Sequence, residues 1–195
     1  WLVIALPLTG SLLLAAFGKR MGEPWAGWLA TSMVAGSFVA ALGAFAGLVA
    51  LDGERVYNES LFTWIPAGNF SVNMGVLLDP LSITLVLFVT GISSLIHLYS
   101  IGYMHGDSRF HRFFLYLNMF VLSMLMLVLG DNLLVTFLGW EGVGACSYLL
   151  ISFWFEDPAK ASAGKKAFVT NRVGDWGFMV ATFAAWFTFG TINYT

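Results

Sequence analysis

Long apolar runs separated by short polar segments dominate this chain. A helix that crosses the hydrocarbon core of a bilayer needs about 20 predominantly apolar residues. By that rule the sequence predicts six transmembrane helices, at residues 1–18, 25–51, 80–104, 112–130, 132–155 and 166–190. The predicted fold is an all-α polytopic membrane protein, with residues 1–195 forming a single transmembrane domain.

The long connection at residues 52–79 departs from this helical pattern. Within FSVNMGV (70–76) apolar and polar residues alternate, which is typical of a strand. LFTWI (61–65) is also β-prone, and the turn-forming residues 66–69 separate the two segments. We predict a small extracytoplasmic β-hairpin that serves as a structural lid or a subunit contact.

Basic residues are distributed very unequally between the two sides of the predicted bundle. Lys and Arg mark the cytoplasmic ends of short connections. Loops 19–24, 105–111 and 156–166, with their edges, carry seven of them: Lys19, Arg20, Arg109, Arg112, Lys160, Lys165 and Lys166. The opposite side carries Arg55 alone. We therefore expect these three loops in the cytoplasm and both ends of the chain outside.

Composition supports a membrane protein and argues against several other classes. Hydrophobic residues make up 58% of the chain, charged residues 10%, and the mean hydropathy is +0.80. Soluble domains carry about 25% charged residues. The net charge of −2 and the lack of a basic cluster indicate no nucleic-acid partner. No CxxC, His/Cys cluster or Gly-rich nucleotide loop occurs, so we expect no metal in this chain, and Cys146 is interpreted as a packing residue.

The two ends of the sequence suggest a piece of a longer protein. Residues 1–17 could be taken for a signal peptide, but the basic residues Lys19 and Arg20 follow the apolar run instead of preceding it. A first transmembrane helix with a clipped start fits better. The sequence also stops after another apolar run, at Thr195. We expect the N-terminal part of a longer membrane subunit.

Glu141 lies inside FLGWEGVGACSYLLI (137–151), about nine residues and roughly 14 Å from the outer end of the fifth predicted helix. A charge at a helix centre costs about 2.5 to 3.5 kcal/mol on insertion scales, so it must face protein or water. Gly144 and Ala145 share its helix face and leave room for a partner. Two interpretations stay open: a titrating site, or a protonated carboxyl that donates an interhelical hydrogen bond.

Arg172 and Asp175 form the second charged group within the predicted membrane region. They are three residues apart on the sixth helix and therefore share a face. They could form a purely structural ion pair. The alternative is a switchable element, because breaking a buried pair leaves an uncompensated charge.

Four polar residues are weaker candidates for a proton path: His97, Lys165, Lys166 and Asp79. His97 is more simply a satisfied histidine within the third helix, and a haem with two axial ligands is excluded because His105 and His111 lie in a loop. Asp79 precedes a proline and is interpreted as a helix N-cap. The two lysines are interpreted as anchors at the cytoplasmic membrane edge.

Two segments, GWEGVGACSYLLISFW (139–154) and KKAFVTNRVGDWGF (165–178), closely resemble the largest antiporter-like membrane subunit of proton-pumping NADH:quinone oxidoreductase, respiratory complex I. LLDPLS (77–82) and HLYSIGYM (97–104) are similar to the same family, and the resemblance runs over essentially all 195 residues. Multisubunit cation/proton antiporters and membrane-bound hydrogenases contain related subunits with the same membrane glutamate. The GWEGVG and NRVGD segments resemble the largest complex I subunit in particular.

The resemblance implies roles for the charged residues. The family's proton-channel glutamate falls on Glu141, and its usual partner is a lysine on a later, broken helix that would lie beyond Thr195. The family's modulating pair falls on Arg172 and Asp175. Family members also have a second half that repeats the first and a long lateral helix, and neither occurs in this sequence.

The implied function is that of a proton-translocating subunit of NADH:quinone oxidoreductase, a translocase that couples quinone reduction elsewhere in the complex to proton pumping. No cofactor is expected in this chain, because FMN, iron–sulfur clusters and quinone would be bound by partner subunits. Expected partners are the lipid bilayer and other membrane subunits, including neighbouring antiporter-like subunits. The expected location is an energy-conserving membrane, the bacterial plasma membrane, which the chain would cross several times.

Two alternatives stay open. One is a subunit of a multisubunit sodium/proton antiporter without a redox partner, which the gene neighbours and the remaining C-terminal sequence would reveal. The other is a scaffold subunit that does not pump. A full-length chain that lacks the partner lysine would support the scaffold.

Overall fold

The computed structural model describes residues 1–51, 53, 55–68 and 70–194, and within them it contains six helices and one two-stranded sheet. The elements in chain order are α1 (Leu2–Met21), α2 (Trp25–Val49), β1 (Tyr57–Ala67), β2 (Phe70–Leu78), α3 (Pro80–Tyr103), α4 (Phe110–Leu129), α5 (Leu133–Ile151) and α6 (Pro158–Phe189). This arrangement confirms the predicted class, a helical membrane fold with a small hairpin.

Within the described ranges, α1 to α5 are long and apolar enough to cross a membrane by length and composition. The helix α6 is not among them, because its charged side chains lower its mean hydropathy. These are Lys160, Lys165, Lys166, Arg172 and Asp175. That α6 crosses the membrane therefore stays a prediction.

The start of α6 differs most from the predicted boundaries. The helix begins at Pro158 and not at residue 166, so most of the predicted loop 156–166 is helical. Asp157 caps it by accepting a hydrogen bond from the backbone N–H of Ala159 at 2.9 Å, and Pro158 fits the first helical position because it has no N–H to leave unpaired. The lysines at this end lie on the first turns of α6. At the preceding boundary, α5 ends at Ile151 and not at residue 155.

The hairpin is longer than the predicted segments 61–65 and 70–76. Its strands β1 and β2 pair antiparallel from Tyr57 opposite Leu78 to Ala67 opposite Phe70, with two register shifts in between. Asn69 of the predicted turn lies outside the described residues. β1 is mostly exposed, whereas β2 lies against the helices and buries Val72.

A polar contact holds the hairpin against the start of α5. The side-chain oxygen of Asn132 accepts hydrogen bonds from the N–H groups of Leu134 and Val135 at 3.0 and 2.9 Å and thereby caps the helix. Its amide nitrogen donates to the carbonyl oxygen of Asn73 in β2 at 2.9 Å. One buried side chain therefore orients both the hairpin and the helix that carries Glu141.

Small residues bring α5 close to α4. A Cβ atom added at Gly139 would lie 2.3 Å from the backbone nitrogen of Leu127, and one at Gly142 would lie 2.4 Å from Ser123 Oγ. Close backbone approach at small residues is a common packing mode of membrane helices. This close approach sets the position of α5 relative to the core. In the core, α4 packs against α1, α2, α3 and α5, and α6 packs against α5.

Candidate functional site

The charged residues of α5 and α6 meet between the two helices. Arg172 Nη1 donates a hydrogen bond to Glu141 Oε2. The same nitrogen lies 3.2 Å from Asp175 Oδ2, one turn further along α6. A single guanidinium therefore bridges two carboxylates, one from each helix.

Two aromatic residues complete this cluster. The indole N–H of Trp140 donates to Asp175 Oδ1 at 2.8 Å, so each oxygen of this buried carboxylate faces a donor. The ring of Phe168 lies beneath the guanidinium, with Arg172 Cζ 4.4 Å from the ring centroid, within the range of a cation–π contact. Together these contacts hold Arg172 on a defined face of α6.

The cluster lies near the middle of both helices. Glu141 comes eight residues after the start of α5, about 12 Å along the axis, and ten residues before its end, about 15 Å. Arg172 is similarly central in α6. If both helices cross a bilayer, the cluster lies close to its midplane, as predicted for Glu141.

One side of the cluster is open. The side chains of Glu141 and Arg172 are 25% and 39% exposed, whereas that of Asp175 is 5% exposed. Arg172 Nε is buried and has no hydrogen-bond partner in the part of the chain that the structure describes. Charged groups at this depth are too costly to face lipid tails. If α5 and α6 both cross a membrane, the open side must therefore contact water or further protein.

Arg172 contacts Asp175, as their shared helix face predicted, and it contacts Glu141 as well. Arg172 reaches Glu141 directly, whereas the sequence resemblance had implied a lysine as the partner of this glutamate. An arginine between two carboxylates can shift from one to the other through a small rotation of its side chain. The geometry is thus compatible with an ion pair that switches partners.

The weaker candidates lie elsewhere. His97 is fully buried on α3, where its Nδ1 contacts the carbonyl oxygen of Ser93 at 2.8 Å and its ring packs 6.3 Å from that of Phe114 on α4. Asp79 caps α3 by accepting from the N–H of Ser82 at 2.6 Å, as its N-cap interpretation predicted. Lys165 and Lys166 are exposed on α6. The nearer of the two, Lys166, lies six residues, about 9 Å along the helix axis, before Arg172.

Sequence reasoning missed two parts of the cluster, the direct contact between Glu141 and Arg172 and the role of Trp140. Trp140 stands next to Glu141, and neighbours on a helix point about 100° apart. The pattern therefore did not indicate that both side chains reach α6. A polar tryptophan N–H in an apolar helix was the available signal, because such groups find partners when buried.

A metal centre finds no support within the described ranges, where no group of three or more His, Cys, Asp or Glu side chains is placed to hold an ion. The chemistry of the cluster is that of carboxylates, a guanidinium and an indole. Of these groups the carboxylates can exchange protons, whereas the guanidinium stays charged and acts by pairing with one carboxylate or the other.

Two family models match the chain. One, for the N-terminus of chain 5 of NADH-ubiquinone oxidoreductase (complex I), matches residues 64–114. The other, for a transmembrane region of NADH:quinone oxidoreductase and Mrp antiporters, matches residues 130–195 and includes the α5–α6 cluster.

Curated relatives match the whole chain. NADH-quinone oxidoreductase subunit L of Mycobacterium tuberculosis is 47% identical over 195 residues, and the subunit L of Escherichia coli is 43% identical over 194 residues. Chain 5 of NADH-ubiquinone oxidoreductase from Rhizopus stolonifer is 42% identical over 193 residues. These alignments cover 99% to 100% of this chain, which spans only 29% to 31% of the length of these relatives.

Two solved structures share the fold. A chain of the membrane-bound sulfane sulfur reductase, an archaeal respiratory membrane complex, has a TM-score of 0.80 at 17% identity, covering 98% of this chain and 38% of its own. A chain of the Mrp complex from a Dietzia species has a TM-score of 0.79 at 25% identity, covering 98% of this chain and 20% of its own. The first likeness concerns the fold alone.

Proposed function

Because the chain belongs to the family of NADH-quinone oxidoreductase subunit L and chain 5 proteins, we propose that it forms part of a proton-translocating membrane subunit of such a complex. NADH oxidation and quinone reduction would take place in partner subunits, which would bind FMN, iron–sulfur clusters and quinone. The task of this chain would be charge transfer across the membrane, next to other antiporter-like subunits.

The observation that carries the proposal is the shared position of Arg172 between Glu141 and Asp175. While the guanidinium donates to Glu141, it stabilises the ionised carboxylate of that residue. When it moves to Asp175, the Glu141 carboxylate loses its counter-charge and takes up a proton from water on its open side. Return of Arg172 releases this proton. A pump results if the two positions of Arg172 open Glu141 to opposite sides of the membrane.

We also propose the orientation predicted from charge. The connections at 19–24 and 105–111, with the first turns of α6, would face the cytoplasm, and the hairpin would face outwards. The count of basic residues supports this orientation, and bacterial relatives support a plasma membrane.

The test is Glu141→Gln in the full-length subunit within the assembled complex, in sealed vesicles. We expect proton translocation per NADH oxidised to fall, because the amide cannot exchange the proton. Glu59→Gln on the exposed strand β1 is the matched control and should pump normally. Unchanged pumping by Glu141→Gln would contradict the proposal and favour a scaffold.

The fold shared with an Mrp complex keeps a sodium/proton antiporter as the second candidate. It predicts sodium-driven proton movement in vesicles that receive no NADH. The greater identity to subunit L proteins over the whole chain favours the complex I function.

A further inference from the structure

Trp140 makes a contact that ordinary packing does not require. Its ring is 45% exposed and reaches from α5 to α6, with its centroid 6.2 Å from that of Phe178, and its indole N–H donates to the buried Asp175 at 2.8 Å. The carboxylate of Asp175 belongs to the charge cluster through Arg172. The tryptophan thus connects to the cluster through a polar atom, although its own ring is apolar.

We propose that Trp140 is a positioning residue for proton transfer: its indole N–H holds Asp175 so that Arg172 stays shared between Asp175 and Glu141. This inference rests on the proposed function of Glu141. It adds an uncharged residue whose substitution should alter proton transfer without removing any titratable group.

The contacts form a closed circuit between the two helices. Consecutive residues of α5, Trp140 and Glu141, each reach a residue of α6, and those two residues, Asp175 and Arg172, contact each other. In this circuit one oxygen of Asp175 is taken by the indole and the other faces the guanidinium. The arrangement leaves Asp175 a single oxygen with which to attract Arg172.

Loss of the indole N–H would leave both oxygens of Asp175 available to Arg172. The freed oxygen of Asp175 is buried, and a buried acceptor without a donor is costly. The nearest remaining donor is the guanidinium, which pairs with carboxylates through two parallel hydrogen bonds when geometry allows. Arg172 would then move from Glu141 towards Asp175. The loss of one hydrogen bond to a charged group should change the distribution of Arg172 between Glu141 and Asp175 by about tenfold or more.

The experiment is Trp140→Phe in the full-length subunit within the assembled complex. Phenylalanine keeps an aromatic ring against Phe178 and removes the donor together with one ring of the indole, a loss of volume that the control shares. Trp154→Phe is the matched control, because its indole N–H also donates to an aspartate, Asp107, at 3.0 Å, but at the opposite end of the helices from the hairpin. Subunit content, NADH oxidation and proton translocation per NADH are measured from pH 5.5 to 8.5, a range chosen about neutrality.

We expect Trp140→Phe to keep normal subunit content and to shift the pH at half-maximal pumping by about one unit, the equivalent of a tenfold change. Trp154→Phe should leave this profile unchanged. In an Asp175→Leu background, Trp140→Phe should have no further effect on the profile, because the indole acts through Asp175.

Three results would overturn the inference. They are equal profiles for Trp140→Phe and Trp154→Phe, a loss of subunit content that accounts for the whole defect, or a persistent effect of Trp140→Phe in the Asp175→Leu background. If Glu141→Gln abolishes pumping in the same vesicles while any of these occurs, the proposed function stands and only the role of Trp140 fails. If Glu141→Gln pumps normally, the proposed function itself is wrong.

Discussion

The close approach of α5 to α4 at Gly139 permits a quantitative prediction about both stability and the charge cluster. In Gly139→Ala the new methyl group would lie 2.3 Å from the backbone nitrogen of Leu127 and 2.6 Å from its Cα atom. Ordinary van der Waals contact begins at 3.4 Å, so the helices must separate by about 1 Å. Backbone atoms cannot rotate away as a side chain can, so the strain passes to the helix positions.

The expected cost follows from two opposing contributions. Overpacking costs about 1 to 3 kcal/mol. Replacing glycine by alanine within a helix contributes up to about 1 kcal/mol in the opposite direction. Because the clash is with backbone atoms that cannot move aside, the upper end of the overpacking range applies, and we expect a net loss of about 2 kcal/mol. Because Glu141 lies two residues further along α5, the same displacement should also weaken its contact with Arg172.

The assay compares the thermal midpoint of the purified complex and its proton translocation per NADH. Gly43→Ala on α2 is the control, since a Cβ atom there meets nothing within 4 Å. We expect Gly139→Ala to lower both quantities and Gly43→Ala to lower neither. Equal behaviour of the two variants would refute the reasoning that this glycine sets the position of α5.

Two further predictions concern contacts between connections. Asn132→Ala removes the cap of α5 and the contact to Asn73, so we expect a loss of about 1 to 2 kcal/mol of stability. The control is Ser32→Ala, whose hydroxyl is exposed, and the thermal midpoint of Asn132→Ala should be the lower of the two. Equal midpoints would contradict the capping role. The hydrogen bonds from Arg109 hold the pKa of Glu156 below its usual 4.5, so its contribution to stability is present above pH 4.5 and is lost as pH falls further. The thermal midpoint of the unmodified complex should therefore fall more steeply below pH 4.5 than that of Glu156→Gln, and parallel curves would contradict this linkage.

The membrane class of the chain could be predicted from its sequence because the signal is local. Each apolar run must form a helix to satisfy its backbone hydrogen bonds in lipid, and its length is set by the bilayer. The alternation in residues 70–76 likewise predicted a strand, now part of β2. Boundaries were less accurate at α6, where an Asp-Pro cap begins the helix before the apolar run does.

The candidate site was only partly predictable. The cost of burying charge identified Glu141, Arg172 and Asp175 without any knowledge of their contacts. It did not indicate that one guanidinium would reach both carboxylates. His97 met the same criterion of a polar residue in an apolar helix, yet it lies on α3 in contact with its own helix backbone and Phe114.

By itself the sequence determined that this is a helical membrane protein and where its apolar helices and hairpin lie along the chain, and it indicated which charges are candidates for a functional site. Those properties depend on whether each segment is more stable in lipid or in water, and that preference follows from the residues of the segment itself. The tertiary structure decided which charges meet. That outcome depends on the rotation and spacing of α5 against α4 and α6, set by Gly139, Gly142 and Asn132, and such contacts between distant residues have no periodic signature in the sequence. Trp140, an apolar residue by composition, becomes part of a charge cluster only through this packing.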